Sequence, residues 1–238
     1  MHNFFALILC GMTDCVGNCA EKPLLRVRAL LGAFCSHFFV DEHILKQLLC
    51  LCVLLFSRIN SKIYIQESRM GRGYEEYVEA HPEKKVILMG DSAGGGLSLA
   101  LAEQIKLEGI RMPDELILLS PWVDATMENP DVEQYAEEDP WLSVPWLRVC
   151  GRRWAGDEDP HSYQASPING DLEDLHHVTV FSGTKEVFYP DLMKFFDQIK
   201  QDSTNELIVG KDMMHVYPLM PIPEAKPACD VIFRKIMR

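Results

Sequence analysis

A serine set between glycines is the feature of this 238-residue sequence that most directly suggests chemistry. The run Gly90-Asp91-Ser92-Ala93-Gly94 follows an apolar stretch and precedes an amphipathic one. G-x-S-x-G between a strand and a helix is typical of a nucleophile elbow, where the next backbone N–H can stabilise an oxyanion. Ser92 is therefore the candidate nucleophile, Ala93 the candidate oxyanion donor, and Gly90 and Gly94 the positions too crowded for side chains. The spacing fits neither G-x-G-x-x-G nor a P-loop, so a phosphate-binding turn is disfavoured.

A serine nucleophile needs a base, and histidine serves this purpose near neutral pH. The sequence contains eight histidines. His215 is the one that follows the last predicted strand, on a loop before the closing helix. This placement puts it at the carboxyl end of the sheet, the side where Ser92 is expected to emerge. We therefore predict His215 as the base; the other histidines fall in the N-terminal segment, in turns, or just before a strand.

The acid of such a triad lies between serine and histidine in chain order. Two carboxylates follow the strand that ends at Phe181, namely Glu186 and Asp191. Glu186 is closer to the strand end and should reach His215 more easily. Asp191 more naturally opens the next helix, where the helix dipole favours a negative charge. The residues alone favour Glu186 and leave Asp191 as an alternative.

From about residue 73 onward, short apolar runs of strand length alternate with helical patterns. Unbroken apolar strands separated by helices indicate a parallel sheet covered on both faces, so the sequence predicts the α/β class. The predicted strands are 86–89, 116–119, 178–181 and 207–209, and the predicted helices are 74–80, 97–107, 144–154, 192–200 and 225–237.

Three further motifs accompany the elbow: Ser120-Pro121-Trp122-Val123-Asp124, Ala165-Ser166-Pro167-Ile168 and the Met-Met-His run that ends at His215. Together with Gly90–Gly96 they resemble the hormone-sensitive-lipase-like branch of the α/β-hydrolases, from about Glu75 to the C-terminus.

The resemblance implies an α/β-hydrolase fold and hydrolysis of small carboxylic esters with short acyl chains, without a cofactor. It also implies that Glu186 is the acid and His215 the base. Asp91 would belong to the family's elbow and would not act in catalysis.

Residues 1–72 differ in character from the remainder. They contain six of the eight cysteines and a charge balance of +3, whereas residues 73–238 carry −15. We therefore predict an atypical Cys-rich segment, 1–72, followed by an α/β-hydrolase catalytic region, 73–238. The cysteine spacing matches no paired zinc pattern, so we expect free thiols, no metal and a cytoplasmic protein. The net charge of −12 disfavours nucleic acid and anionic membranes as partners.

Two apolar stretches in this segment lack the features of targeting or spanning elements. Phe4–Cys10 has no positively charged residue before it, as a signal peptide would. Ile44–Phe56 is shorter than the ~20 residues that a spanning helix needs and contains Lys46. A membrane protein is therefore disfavoured, and the oligomeric state is left open.

The sequence also departs from the family pattern. Such enzymes carry an H-G-G-G-type loop upstream of the elbow, and its N–H groups complete the oxyanion hole. No Gly-Gly pair precedes Gly94 in this chain. Either a shifted reading frame or a divergent N-terminal segment would explain the difference. Two functions are accordingly retained: a Ser-His-Glu ester hydrolase, and a catalytically impaired hydrolase-like protein that binds a ligand or partner.

Overall fold

A computed structural model of the chain describes residues 5–9 and 63–237, with side chains from residue 70 onward. The described strands form one parallel sheet whose spatial order is also the chain order. The strands are β1 (Phe5–Leu9), β2 (Val86–Asp91), β3 (Glu115–Leu119), β4 (Val178–Gly183) and β5 (Glu206–Gly210). The helices are α1 (Ile63–Ala80), α2 (Ala93–Leu107), α3 (Val132–Tyr135), α4 (Val144–Ala155), α5 (Tyr189–Ile199) and α6 (Ala225–Met237).

The strand side chains alternate between two buried clusters, as the two-residue period of a strand requires. One face of the sheet packs against α1, α2 and α5, and the other packs against α6. Leu88 and Leu118 belong to the first cluster, while Ile87 and Ile117, one residue away in each strand, belong to the second. The central strands are therefore buried on both sides, which explains why their sequences are apolar without interruption.

Helix α2 connects β2 to β3 and carries the elbow at its first turn. It ends where predicted, because Gly109 adopts a left-handed φ of 67° just past its last turn. There the N–H of Ile110 donates to the carbonyl of Ile105, which satisfies one of the helix's terminal carbonyls.

The predicted α/β class, with a parallel sheet covered on both faces, is confirmed. All four predicted strands and all five predicted helices are present, most of them longer by one or a few residues. Helix α1 begins at Ile63, so the suggested change near residue 72 falls inside a helix. The division into segments 1–72 and 73–238 stays a prediction.

Strand β1 is an element that the sequence did not predict. Its Leu9 pairs with Gly90, so β1 runs beside the strand that leads into the elbow. The six N-terminal cysteines and the stretch Ile44–Phe56 lie outside the described residues, as does most of the segment 1–72 in which no H-G-G-G loop was found. Among the described helices, none is long and apolar enough to cross a membrane.

Candidate active site

Ser92 lies at the junction between β2 and α2, with φ of 53° and ψ of −122°. Positive φ is unfavourable for a residue with a Cβ, so surrounding hydrogen bonds must hold it. The Ser92 N–H donates to the carbonyl of Leu119 at 2.9 Å, and its carbonyl accepts the N–H of Trp122 at 2.9 Å. Two backbone hydrogen bonds thus join the elbow to the end of β3 and to the segment that follows β3.

The glycines around Ser92 occupy positions where backbone approaches closely. A Cβ on Gly90 would lie 2.2 Å from the carbonyl oxygen of Gly94, and one on Gly96 would lie 2.1 Å from that of Trp122. Side chains at Gly90 and Gly96 are therefore excluded by backbone that cannot easily move. The close backbone contact at Gly96 was not predicted, although a third consecutive glycine after Gly94 and Gly95 could have indicated it.

The structure brings Ser92, His215 and Glu186 into one chain of hydrogen bonds. His215 Nε2 lies 2.9 Å from Ser92 Oγ, and His215 Nδ1 lies 2.7 Å from Glu186 Oε2. The side chains of His215 and Glu186 are fully buried. Because an ionised carboxylate only accepts, Nδ1–H donates to Glu186 and Nε2 is left to accept the Ser92 proton.

The second oxygen of Glu186 also accepts hydrogen bonds. Its Oε1 accepts a hydrogen bond from the Ser182 hydroxyl and another, at 3.1 Å, from the Gly183 N–H. Both donors lie at the end of β4, three or four residues before the carboxylate. The strand end therefore fixes the orientation of the carboxylate that faces His215. The role of Ser182 had no signal in the sequence.

Asp191, the alternative acid, is placed elsewhere. Its Oδ1 accepts a hydrogen bond from Asn129 Nδ2 at 2.6 Å, so it joins α5 to the segment after β3. Burial raises the pKa of Asp191 to about 6, an effect that the Asn129 hydrogen bond partly opposes. Among the described residues, its Oδ2 has no hydrogen-bond partner. The structure thus joins Glu186, and not Asp191, to His215.

The loop that carries His215 is hydrogen-bonded to Ser120 of the Ser-Pro-Trp motif. The N–H of Val216 donates to Ser120 Oγ at 3.0 Å. Both residues have positive φ, 45° for Ser120 and 50° for Val216, so this bond joins two strained turns. Sequence reasoning used this motif only as a family marker and missed its contact with the base loop.

Aromatic rings close the side of the site next to the base. The ring of Phe188 meets that of His215 edge-on, with centroids 5.1 Å apart. The ring of Trp122 stacks nearly parallel to that of Phe188, with centroids 6.0 Å apart. These apolar neighbours keep water from the His215–Glu186 pair, which strengthens its electrostatic interaction.

Ala93 is the first residue of α2. The first N–H groups of a helix have no acceptor within the helix, so the Ala93 N–H is available to an oxyanion beside Ser92. Within residues 5–9 and 63–237, no group of three or more metal-ligating side chains is present.

Comparisons with known proteins agree with this architecture. Residues 65–219 match a family described as alpha/beta hydrolase fold. An esterase from Acinetobacter venetianus is 31% identical over 125 residues, which are 52% of this chain and 41% of the relative. An acetyl-hydrolase from Streptomyces hygroscopicus is 32% identical over 110 residues, 46% of this chain and 37% of the relative.

Solved structures of esterases also resemble this chain in fold. An esterase from the bacterial hormone-sensitive lipase family superposes with a TM-score of 0.63 at 28% identity, covering 68% of this chain and 56% of the other.

The chain spans less than half the length of the curated esterase and acetyl-hydrolase that it matches. Because the family match covers more than half of the sequence, and the fold and the elbow agree with it, this chain belongs to the α/β-hydrolase fold family.

Proposed function

We propose that this protein hydrolyses small carboxylic esters of the acetyl type through a Ser92–His215–Glu186 triad and an acyl-enzyme. The observation that carries the proposal is the continuous hydrogen-bonded chain from Glu186 through His215 to Ser92. The names of the matched relatives, esterase and acetyl-hydrolase, support the same reaction class.

In the acylation step, Ser92 Oγ attacks the ester carbonyl carbon while His215 Nε2 takes the hydroxyl proton. Glu186 stabilises the imidazolium that forms, because its carboxylate lies 2.7 Å from Nδ1. The Ala93 N–H donates to the carbonyl oxygen as negative charge develops there. His215 then gives the proton to the departing alkoxide, so the alcohol leaves neutral and the acyl group remains on Ser92.

Deacylation repeats these steps with water as the nucleophile. His215 Nε2 removes a proton from water, the hydroxide adds to the acyl carbon, and Ser92 Oγ leaves with the proton from His215. The carboxylic acid is released and the serine is restored. The buried pair of His215 and Glu186 needs no external group for either proton transfer.

A second candidate function is a hydrolase-like protein that binds a ligand or partner without turnover. The observation favouring it is the absence of a Gly-Gly pair before Gly94 in the sequence. Loss of one oxyanion donor costs about 10²–10³ in rate, so an incomplete oxyanion hole would leave a correctly assembled triad slow.

Hydrolysis of p-nitrophenyl acetate and butyrate by the full chain and by Ser92→Ala separates the two functions. The proposal expects turnover of both esters that the substitution abolishes, with acetate preferred. A folded wild-type chain, verified by circular dichroism, that is no faster than Ser92→Ala would overturn the proposal in favour of the binding module.

A further inference from the structure

A buried carboxylate outside the triad is bonded directly to the loop that carries the catalytic acid. Asp139 lies in the long connection between β3 and β4 and is only 8% exposed. Its Oδ2 accepts the N–H of Val187 at 2.9 Å, 48 residues away in sequence. Its Oδ1 accepts the N–H groups of Trp141 at 2.8 Å and Leu142 at 2.9 Å.

The Val187 N–H belongs to the peptide that follows Glu186, so Asp139 holds the backbone on one side of the acid. The carboxylate of Glu186 is held on the other side, by Ser182 and by the Gly183 N–H. The Glu186 side chain is therefore fixed from two directions. The Asp139 contact comes from a distant part of the chain, as do the hydrogen bond between His215 and Glu186 and that from the Lys185 N–H to the carbonyl of Met213.

The turn that Asp139 organises also reaches the loop of the base. Trp141 packs against the apolar cluster that contains Val216 and Tyr217, the two residues after His215. One buried carboxylate thus connects the segment between β3 and β4 with the surroundings of both Glu186 and His215.

We propose that Asp139 is a positioning residue for the catalytic acid, holding the 183–188 turn so that Glu186 Oε2 stays on His215 Nδ1. The inference rests on the proposed function, because positioning matters only if Glu186 acts on His215. A carboxylate is required because all three of its partners are N–H donors. An amide would place its own N–H against at least one of them.

Asp139→Asn tests this role, with Asp114→Asn as the matched control. Asp114 Oδ2 likewise accepts a backbone N–H, that of Val86 at 2.7 Å, but at the opposite end of β2. Activity is normalised to active sites counted with a fluorophosphonate, so that loss of folded protein is not mistaken for loss of catalysis. Asp139→Ser is made in parallel, since its hydroxyl can still accept from the local turn but is too short to hold Val187.

For both Asp139 variants we expect kcat to fall about tenfold while KM changes less than twofold. We also expect the acidic limb of the kcat/KM pH profile to move to lower pH. A loosened Glu186 stabilises the His215 imidazolium less. Asp114→Asn should leave kcat and the pH profile unchanged. Unchanged kcat and pH profile in both Asp139 variants would overturn the inference.

A proton NMR experiment gives a readout that does not depend on turnover. The His215 Nδ1–H bonded to Glu186 should give a downfield signal, assigned by its absence in His215→Ala. The inference expects that signal to shift or broaden in Asp139→Asn and to persist in Asp114→Asn. If the wild type shows the signal without Ser92-dependent hydrolysis, the proposed function fails, while the Asp139→Asn spectrum still decides the positioning role.

Discussion

The two ends of the sheet are stabilised by different kinds of interaction. At the carboxyl ends of the strands, Ser92 and Ser120 have positive φ, and so does Val216 in the loop that carries His215. At the amino ends, β3 and β5 begin with glutamates that pair with Lys235 of α6, at 3.6 Å to Glu115 and 2.9 Å to Glu206. The buried triad lies at the carboxyl end, and the ion pairs of Lys235 with Glu115 and Glu206 lie at the amino end.

The two kinds of interaction have different roles in the molecule. Strained turns cost free energy and persist only where the surrounding hydrogen bonds enforce them, as the bond from Val216 to Ser120 does. The ion pairs at the amino ends join α6 to the sheet and contact none of the triad. Substitutions at the two ends should therefore separate activity from stability.

The largest separation is expected between two buried glutamates, Glu186 at the carboxyl end and Glu115 at the amino end. Glu186→Gln removes the charge that stabilises the His215 imidazolium and should lower kcat by about 10³–10⁴, as for the acid of other serine triads. Glu115→Gln should leave kcat unchanged. Steady-state kinetics on p-nitrophenyl acetate measures both, and equal losses of kcat in the two variants would show that the two ends of the sheet do not differ in their effect on activity.

The next largest effect is expected at Gly90. Gly90→Ala places a Cβ 2.2 Å from the Gly94 carbonyl and should destabilise the fold by about 3 kcal/mol. Gly73→Ala is the control: it lies within α1 with nothing within 4 Å of the added carbon, and should stabilise by about 0.5–1 kcal/mol. Urea unfolding measures both. A neutral Gly90→Ala would show that the elbow is not tightly packed.

A smaller, pH-dependent effect is expected at Asp191. Its folded-state pKa is raised from 3.8 to about 6 by burial, with the charges of Asp124 and Asp131 acting in the same direction and Lys194 against them. The folded state therefore binds the proton more tightly than the unfolded state. The stability that this proton confers is complete below about pH 4 and is lost as the pH rises through about 6.

Asp191→Asn should remove this dependence. Its stability relative to the wild type should rise by about 2 kcal/mol between pH 4 and pH 7, as measured by urea unfolding at a series of pH values. Asp197→Asn, an exposed position on the same helix, is the control. Parallel stability curves for Asp191→Asn and the wild type would mean that burial of Asp191 does not perturb its titration.

Much of the fold could be predicted because the strands buried on both faces are continuous apolar runs. Strand β1 was not predicted, because five consecutive apolar residues have no periodicity that distinguishes a strand from a helix or a leader peptide. Helix α1 was predicted too short, since its residues before 74 include two glycines and give no clear apolar face.

The candidate site could be predicted in part, from chain order and strand ends, which favoured Ser92, Glu186 and His215. Its supporting bonds could not be predicted, because they join residues far apart in sequence. Asp139 and Val187 are separated by 48 positions, and Ser120 and Val216 by 96. Nothing in the local sequence around Asp139 shows that its carboxylate faces the acid loop.

Covalent labelling of the full chain with a fluorophosphonate, followed by peptide mass spectrometry, tests whether Ser92 is an activated nucleophile. An activated serine reacts, whereas a serine in a merely connecting turn does not. The proposed triad predicts a single adduct on Ser92 that is absent from Ser92→Ala and much slower in His215→Ala. A folded wild-type chain that is unlabelled at Ser92, or labelled equally fast without His215, would contradict it.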